Sequence, residues 1–361
     1  MYTNKIMHIV GNRPQFIKLA PLYHELESRG YEQLILHTGQ HYDENLSNIF
    51  FEQFKVEKPY KNLEIGSGSH AEMTAKAVIG IERCLLDIHP KVVILYGDTD
   101  STLAGALAAS KLDIPIAHVE GGVRTYNKKN PEECNRIITD HVSSIIFCPD
   151  EYSVKNATKE NLGAISYNTG DIMYDAFLMV GEDVSNDNSD YILMTWHRQE
   201  NTNSKYRMDS ILNFVEQLDE RVICPLHPRT KKCLMEYGLW DRVREINNLQ
   251  IIEPVGYWEM VGLMRNSKLI LTDSGGVSKE SSFAGSKCLF FADLDIWYDL
   301  EKVNWIQKLN LQSEKSIKKA LVFAKEAKKY GKGERPCFYG DGHAAHKMAT
   351  LLEEKNLVCK G

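Results

Sequence analysis

The segment Gly97–Arg136 reads GDTDSTLAGALAASKLDIPIAHVEGGVRTYNKKNPEECNR, and it lies in the part of the chain whose pattern decides the fold. Short apolar runs at Val92–Tyr96 and Ile116–Val119 predict two β-strands with a helix between them. A strand, a helix and a second strand at this spacing are typical of a parallel sheet. We therefore predict an α/β protein.

Carboxylates follow both strands of this unit. Asp98 comes just after the first strand, Glu120 just after the second, and Glu132–Glu133 lie in a PEE turn. Ligands of an open parallel sheet bind at the carboxyl ends of its strands. Two simpler interpretations remain open, in which Asp98 caps the following helix and Glu120 is a solvated loop acid. The clustering of several acids favours a catalytic edge.

The alternation of strands and amphipathic helices continues along the chain in two series, separated by the polar segment Gly181–Asp190. The first series of predicted strands is Lys5–Val10, Gln33–His37, Val92–Tyr96, Ile116–Val119, Ser144–Cys148 and Ser166–Thr169. The second series is Tyr191–Thr195, Val222–Pro225, Leu249–Ile252, Leu269–Thr272 and Cys288–Phe291. We predict two Rossmann-like, doubly wound lobes with a cleft between them, formed by residues 1–180 and 181–340. A helix in 341–361 is expected to return to the first lobe.

Composition excludes several classes of protein. A chain of 361 residues is longer than one ordinary core requires, which fits two domains. The net charge of −6 gives no general attraction for nucleic acid or for an anionic membrane. No apolar run approaches membrane-spanning length, no signal peptide precedes the first strand, and the eight cysteines form no CxxC pair. We expect a cytoplasmic protein.

The motif GNRPQFIK at Gly11–Lys18 follows the first predicted strand. It is not the dinucleotide fingerprint GxGxxG, and the chain has no Walker loop, which argues against NAD and against P-loop ATP chemistry. Arg13 at the start of a helix is a natural anion contact, although it would also suit an ion pair with a neighbouring carboxylate. Lys18 is a further candidate substrate contact. We predict no cofactor.

In the second series, Thr272–Gly276 (TDSGG) follows a strand and opens a helix. Its Ser274, Gly275 and Gly276 would let backbone N–H groups approach a phosphate, although a capped tight turn explains the same residues. Glu280, one turn later, would accept hydrogen bonds from ribose hydroxyls.

Two histidines also follow strands of the second series. His197 lies in TWHRQEN and His227 in PLHPRT, where they would neutralise a diphosphate. The remaining histidines have simpler interpretations. His118 is predicted to be a hydrogen-bonded core residue, and His343 and His346 lack the partners of a metal site. We predict no metal.

With these motifs assembled, the chain resembles the non-hydrolysing UDP-N-acetylglucosamine 2-epimerases. The similarity runs nearly end to end through GNRPQFIK, TGQHYDENL, GDTDSTLAGALAA, HVEGGVRT, PEECNRIITDH, TWHRQEN, PLHPRT, EPVGY, TDSGG and YGDG, in family order. The resemblance implies two Rossmann-like lobes in the arrangement of GT-B glycosyltransferases, a UDP-sugar substrate and a homodimer. Within the family, GNRPQFIK and GSGSH are most similar to UDP-2,3-diacetamido-2,3-dideoxyglucuronic acid 2-epimerases, which serve surface polysaccharide synthesis.

The resemblance also implies roles for individual residues. Asp98, Glu120 and Glu132 would be the catalytic acids, and His197 would serve the leaving diphosphate. Arg13 would contact phosphate, and Met260, after EPVGY, would pack on the uracil. The remaining substrate contacts are expected at Lys18, His227, Ser274, Gly275, Gly276 and Glu280. The implied reaction is anti elimination of UDP to a glycal, followed by readdition after the proton returns on the opposite face.

The sequence departs from the family pattern at several positions. Ser278 and Lys279 replace a Gln and an acid after TDSGG, and Ala292, Asp295 and Ile296 stand where an Arg and a Thr-Glu pair are usual. Two alternatives therefore remain open: a GT-B glycosyltransferase that uses a UDP-sugar, and a UDP-sugar-binding protein that has lost turnover. The family's second sugar-nucleotide site is also expected to be eroded, since Asp43 follows Gln40 where a Gln is usual.

Overall fold

The computed structural model describes residues 3–39, 50–181, 191–293 and 297–360. The predictions made for Gln40, Asp43, Asp295, Ile296 and nearly all of the segment at 181–190 lie outside these ranges. Within them, every helix is too short or too polar to cross a membrane. The chain divides into two compact units, Met1–Met179 with Cys337–Gly361 and Val180–Pro336. They are called the first and the second unit below.

The first unit is built on a seven-stranded parallel sheet with the order β3-β2-β1-β4-β5-β6-β7. The strands are β1 Ile6–Val10, β2 Gln33–His37, β3 Lys61–Asn62, β4 Val92–Tyr96, β5 Ile116–Val119, β6 Ile145–Cys148 and β7 Ser166–Asn168. The helices are α1 Arg13–Ser28, α2 His70–Ile88, α3 Asp100–Lys111, α4 Pro131–Val142, α5 Glu151–Lys159 and α6 Ile172–Met179.

The second unit contains a six-stranded parallel sheet with the order β10-β9-β8-β11-β12-β13. Its strands are β8 Ile192–Thr195, β9 Val222–Pro225, β10 Leu249–Ile252, β11 Leu269–Thr272, β12 Lys287–Phe290 and β13 Ile306–Lys308. Its helices are α7 Gln199–Thr202, α8 Lys205–Glu216, α9 Pro228–Glu236, α10 Trp240–Glu245, α11 Tyr257–Asn266, α12 Gly275–Ala284, α13 Tyr298–Lys302 and α14 Glu314–Lys325.

The last helix, α15 (Ala344–Glu354), belongs to the first unit and packs against α1 and α6. Its first turn is fixed by Asp175, which accepts hydrogen bonds from the backbone N–H groups of Ala344 and Ala345 at 3.1 and 2.8 Å. Arg29 at the end of α1 forms an ion pair with Glu353 at 2.7 Å. A capped helix start and a buried contact face explain how this short C-terminal segment is held.

The predicted fold class is confirmed, because the continuous apolar runs are buried strands with helices on both faces of each sheet. In β1, β4 and β5 every residue is buried, as expected for parallel strands covered on both sides. Two short strands, β3 and β13, were not predicted. Lys61 and Asn62 of β3 are exposed and polar, so β3 has no apolar pattern to recognise.

Each strand order contains one point at which the direction of winding reverses. In the first unit it lies between β1 and β4, and in the second between β8 and β11. Crossover helices leave such neighbouring strands in opposite directions and open a crevice at their carboxyl ends, where ligands of doubly wound sheets bind. The segments that follow these four strands are therefore the first place to look for a site.

Candidate active site

Asp98 lies at the reversal point of the first sheet, directly after β4. The helix α3 is capped by Thr99, whose hydroxyl accepts from the N–H of Thr102 at 3.3 Å. The interpretation of Asp98 as the helix cap is therefore wrong. Its carboxylate instead forms an ion pair with Arg136 of α4.

Glu120 follows β5 and forms an ion pair with Lys18 of α1. It is not a solvated loop acid, since its side chain is only 17% exposed. Its backbone has a φ of 68°, in the left-handed region that non-glycine residues rarely adopt. Lys18 also approaches Gly97, where a Cβ atom would lie 3.2 Å from the lysine Nζ and 3.5 Å from Glu120 Oε2. Lys18, Glu120 and the Gly97–Asp98 turn therefore adjoin one another.

Gln15, which the sequence analysis did not single out, joins the turns after β1 and β4. Its side-chain oxygen accepts from the N–H of Gly11 at 2.7 Å, and its amide donates to Tyr96 O at 2.7 Å and Thr102 Oγ1 at 2.9 Å. The residue is 1% exposed. The conformation of both turns therefore depends on one buried amide, and the only sequence signal was a glutamine at the N3 position of a capping box.

The first turn of α4 separates the two acids of the PEE motif. Glu132 is exposed, whereas Glu133 is buried and accepts hydrogen bonds from the backbone N–H groups of Thr125 and Tyr126 at 2.9 and 2.7 Å. Burial raises the pKa of Glu133, but these hydrogen bonds and the charge of Arg136 lower it by more, so the net pKa is below its usual range. Glu133 thus holds the Thr125–Tyr126 loop, whereas Glu132 is open to solvent.

Arg136, one turn after Glu132, is a second residue that sequence reasoning missed. Burial lowers its pKa, and the charges of Asp98 and Glu120 raise it by more. The guanidinium therefore lies close to both predicted catalytic acids. Its signal in the sequence was the spacing of four residues from Glu132, which places both side chains on one helix face. Arg13, the first residue of α1, is exposed at the neighbouring strand end.

In the second unit, the segment after β8 is held by Asp273, which follows β11. The buried Asp273 carboxylate accepts from the N–H of His197 at 3.1 Å, the N–H of Arg198 at 2.9 Å and Asn201 Nδ2 at 3.0 Å. It also lies 3.6 Å from His197 Nδ1. One acid thus fixes His197 at the reversal point of this sheet, with its side chain 42% exposed.

His227 caps α9 after β9, and its ring centroid lies 5.8 Å from that of His197. Burial lowers the pKa of His227, and the nearby charges of His197 and Arg229 lower it further. Cationic and donor groups therefore gather along this edge, which suits an anionic ligand.

The predicted phosphate turn after β11 begins α12. Ser274 is the N-cap and accepts from the N–H of Val277 at 3.4 Å. A Cβ atom on the exposed Gly276 would meet nothing nearer than Glu280 Oε1 at 3.7 Å, so the space beside this glycine is open to a ligand. Gly275 is the first residue of α12, and the dipole of this ten-residue helix favours an anion there.

Two further predicted contacts lie on neighbouring helices of the second unit. Glu280 is in the second turn of α12 and is 7% exposed. Met260 is partly buried on α11, which packs against α12. Glu280 Oε1 would lie 3.7 Å from a Cβ atom on Gly276, so Glu280 adjoins this turn.

The departures at the start of α12 are accommodated inside the protein. Ser278 Oγ donates to Gly275 O at 3.0 Å, and the buried Lys279 places its ammonium group 4.6 Å from the ring centroid of Trp297. Trp297 in turn donates from Nε1 to Gly275 O at 2.8 Å. Ser278 and Trp297 thus hold the carbonyl oxygen of Gly275, and the space beside Gly276 stays open.

The comparisons with known proteins agree with this geometry. The family described as UDP-N-acetylglucosamine 2-epimerase matches residues 24–353. A UDP-N-acetylglucosamine 2-epimerase homolog of Methanococcus maripaludis is 41% identical over 359 residues, which cover 96% of this chain and 99% of that protein. A UDP-2,3-diacetamido-2,3-dideoxy-D-glucuronate 2-epimerase of Pseudomonas aeruginosa is 43% identical over 308 residues, covering 82% and 85%.

The fold comparison gives the same answer. The crystal structure of Methanocaldococcus jannaschii UDP-GlcNAc 2-epimerase in complex with UDP-GlcNAc and UDP matches with a TM-score of 0.86 at 37% identity, covering 97% of this chain and 99% of that one. The extent of these matches shows the family and the two-lobed, GT-B-like α/β architecture together. The chain belongs to the UDP-N-acetylglucosamine 2-epimerase family.

Proposed function

We propose that this protein epimerises C2 of a UDP-linked N-acetylamino sugar by anti elimination of UDP and readdition. The observation that carries the proposal is the division of polar groups between the two sheets, in each case after strands at the reversal point and directly next to it. Asp98 and Glu120, with Glu132 nearby on α4, supply acids in the first unit. An open helix N-terminus with His197 and His227 supplies donors in the second.

The chemistry explains why both sets are required. The hydrogen on C2 of an amido sugar is not acidic, because no carbonyl group is attached to that carbon. If UDP leaves first, charge builds on the diphosphate and an oxocarbenium-like C1 forms. Fixed donors stabilise the diphosphate, and carboxylates stabilise C1 and move the proton at C2.

For the diphosphate we propose the turn of Ser274, Gly275 and Gly276, in which the N–H groups of the two glycines open α12, together with His197 and His227. Their support is the exposure of Gly276, the capped helix start and the fixed backbone of His197. Arg13 of the first unit is the proposed additional phosphate contact. Glu280 is assigned to the ribose hydroxyls and Met260 to the uracil face, while Lys18 is assigned to the substrate beside Glu120.

For proton transfer we propose Asp98, Glu120 and Glu132. Asp98 and Glu120 are each paired with a cation, Arg136 and Lys18 respectively. A base and an acid on opposite faces of C2 are both required, since the proton must leave one face and return on the other. Three acids are enough to provide both.

As substrate we propose UDP-2,3-diacetamido-2,3-dideoxyglucuronic acid or UDP-GlcNAc, for surface polysaccharide synthesis. Proton NMR in D2O with each sugar separately tests this proposal. Deuterium at C2, with gluco and manno signals both present, is expected for the true substrate. Binding of both sugars without exchange would contradict epimerisation and favour a UDP-sugar-binding protein.

We further propose that the protein is a homodimer. Helices α2 and α3 of the first unit border an apolar groove of about 610 Å³, lined among others by Val78, Ile79, Leu103 and Leu107. Ile79 is 51% exposed, and a second copy of this chain is the proposed cover. Light scattering should give twice the chain mass for the wild type and for the control Val322→Glu in the second unit, and the monomer mass for Ile79→Glu. A monomeric wild type would contradict the proposal.

A cytoplasmic location is also proposed. All eight cysteines are free thiols, and three of them, Cys148, Cys224 and Cys288, are buried within strands β6, β9 and β12, where they pack as small apolar groups. Free thiols of this number suit a reducing compartment.

A further inference from the structure

Behind the predicted catalytic acids of the first unit lie two fully buried polar residues, His118 of β5 and Asp140 of α4. Both side chains are 0% exposed, and His118 Nδ1 lies 2.7 Å from Asp140 Oδ1. The prediction that His118 is a hydrogen-bonded core residue is therefore confirmed. Neither side chain is exposed to a substrate, so any effect on the reaction must be exerted through other groups.

The pair is tied to the backbone beside both acids. His118 Nε2 lies 2.7 Å from the carbonyl oxygen of Gly97, the residue before Asp98. Asp140 Oδ2 accepts from the N–H of Gly122 at 3.0 Å, two residues after Glu120. A single pair of side chains thus connects the turn after β4 with the turn after β5.

The hydrogen-bond partners determine the proton positions on His118. A carbonyl oxygen only accepts, so Nε2 donates to Gly97. Burial raises the pKa of Asp140, but His118 and Arg124 lower it by more, so the carboxylate is ionised and also accepts. Both ring nitrogens of His118 thus face acceptor oxygens, one on Asp140 and one on Gly97.

The turn that this pair holds would not be stable without support. Glu120 and Gly122 have φ angles of 68° and 74°, and the first of these is a costly conformation for a residue with a side chain. Between them, a Cβ atom on Gly121 would lie 2.6 Å from Asp140 Oδ1 and 3.0 Å from His118 Nδ1. The EGG motif is thus the sequence that lets the backbone pass directly over the buried pair.

A second arm of the cluster provides an internal control. Arg124 Nη1 lies 2.7 Å from Asp140 Oδ2, and its guanidinium makes two hydrogen bonds of 2.8 Å to Glu160. Glu160 is 24% exposed, and the bonds to Gly97 and Gly122 come from His118 and Asp140 rather than from Glu160. A change there disturbs the same ionic cluster without removing either tie to the catalytic turns.

We propose that His118 and Asp140 are positioning residues that set the separation of the Asp98 and Glu120 carboxylates for proton transfer at C2. The inference rests on the proposed function, since it concerns the geometry of that reaction. Misplacing a reacting group by about 1 Å is sufficient to slow catalysis by about 100-fold. Loss of the pair is therefore expected to lower kcat and to leave binding of UDP unchanged.

The test measures kcat, KM, Tm and UDP affinity for Asp140→Leu, Asp140→Asn and Glu160→Gln. Asp140→Leu removes the acceptor of Gly122 and should lower kcat by about 100-fold, with KM within about threefold of wild type. Asp140→Asn keeps one oxygen for Gly122 and allows Nδ1 of a neutral His118 to accept from its amide. Its kcat should therefore be at least about tenfold higher than that of Asp140→Leu. Glu160→Gln should lower Tm while kcat stays within about twofold.

The outcomes separate the two proposals. An inactive wild type would overturn the proposed function, and this inference with it. An active wild type with unchanged kcat in both Asp140 variants would overturn the positioning role alone, as would a Glu160→Gln variant whose kcat falls in parallel with its Tm. If Asp140→Leu does not fold, the test compares the kcat of Asp140→Asn with that of Glu160→Gln. Asp140→Asn is then expected to lose about fivefold or more in kcat.

Discussion

The two units carry different polar groups at the same position of the fold, the carboxyl ends of strands near the point where the winding reverses. At the reversal point of the first sheet and after the strand next to it lie carboxylates, each paired with a cation from a helix. At the reversal point of the second sheet and after the strand next to it lie histidines and an open helix N-terminus. In both, a fully buried aspartate fixes the backbone after a strand: Asp140 in the first unit and Asp273 in the second.

The difference lies in what surrounds each aspartate. Asp140 comes from a helix, is paired with His118 and Arg124, and leaves no room for a side chain at Gly121. Asp273 lies at a strand end and is satisfied largely by backbone N–H groups, and the nearby Gly276 faces open space. Glycine in the first unit is thus a packing requirement, whereas in the second it is a means of ligand approach.

The largest expected effect is that of Asp98→Asn, which removes a proposed proton-transfer group of the first unit. Turnover should fall by about 10³-fold or more, while UDP binding stays near wild type because the proposed diphosphate groups lie in the second unit. Steady-state kinetics and calorimetry with UDP measure the two quantities. Surviving activity would show that the catalytic assignment is wrong.

The two glycines give a matched pair of substitutions. Gly121→Ala forces a Cβ atom against Asp140 and Ile146 and should destabilise the first unit by about 1–3 kcal/mol. Gly276→Ala meets only ordinary contacts, so its stability should stay within about 0.5 kcal/mol of wild type. Its UDP affinity should nevertheless fall by about tenfold, or 1.4 kcal/mol. Denaturant unfolding gives the free energy of unfolding, and titration with UDP gives the affinity. Similar losses of stability in the two variants would contradict the predicted difference.

A smaller effect is expected for Asp273→Asn. The amide keeps one acceptor but turns an NH2 group toward the donors of His197, Arg198 and Asn201, which should cost about 1–3 kcal/mol of stability. Because His197 loses its fixed position, KM for the UDP-sugar should rise by more than kcat falls. The exposed Asp293→Asn is the control, and a kcat effect without a KM effect in Asp273→Asn would refute the division of roles.

The smallest effects are the titrations of two histidines, which should shift in opposite directions. His70 in the first unit donates a hydrogen bond to Asp100, 2.7 Å away, and this bond together with the charge of Asp100 raises the pKa of His70. In the second unit, burial and neighbouring cations lower the pKa of His227. The favourable His70 interaction is fully present below the unfolded-state pKa of 6.5 and is lost as pH rises through the higher folded value. For His227, stability falls as pH drops through 6.5 toward the lower folded value.

Both histidines are largely exposed, so each stability effect should be below about 1 kcal/mol. Side-chain NMR titration, with His70→Gln and His227→Gln for assignment, gives the two pKa values. Equal values, or values in the reverse order, would contradict the description of one acidic and one cationic strand edge.

The fold was predictable because buried parallel strands are continuous apolar runs, and eleven of these runs lie where strands occur. The site was predictable where a chemically distinctive residue follows a strand, as with Asp98, Glu120 and His197. Local patterns also misled, since GDTDST at Gly97–Thr102 offers both Asp98 and Thr99 as caps, and Thr99 fills that role.

The residues that hold the site were not predictable in the same way. Gln15 contacts Tyr96 and Thr102, more than 80 positions away in the chain, and Asp273 contacts His197 across 76. Asp140 is an ordinary acid within an amphipathic helix. Such contacts follow from the strand order, which the apolar pattern of a single sequence does not specify.

The central claim of the proposed function is that UDP leaves C1 of the sugar and returns to it during epimerisation. The most direct test uses a UDP-sugar labelled with ¹⁸O in the bond between C1 and the β-phosphate, followed by ³¹P NMR during epimerisation. The account predicts that the label moves from the bridging to the non-bridging oxygens of the β-phosphate, because the three oxygens become equivalent once UDP is released. Deuterium exchange at C2 with the label still in the bridge would contradict it.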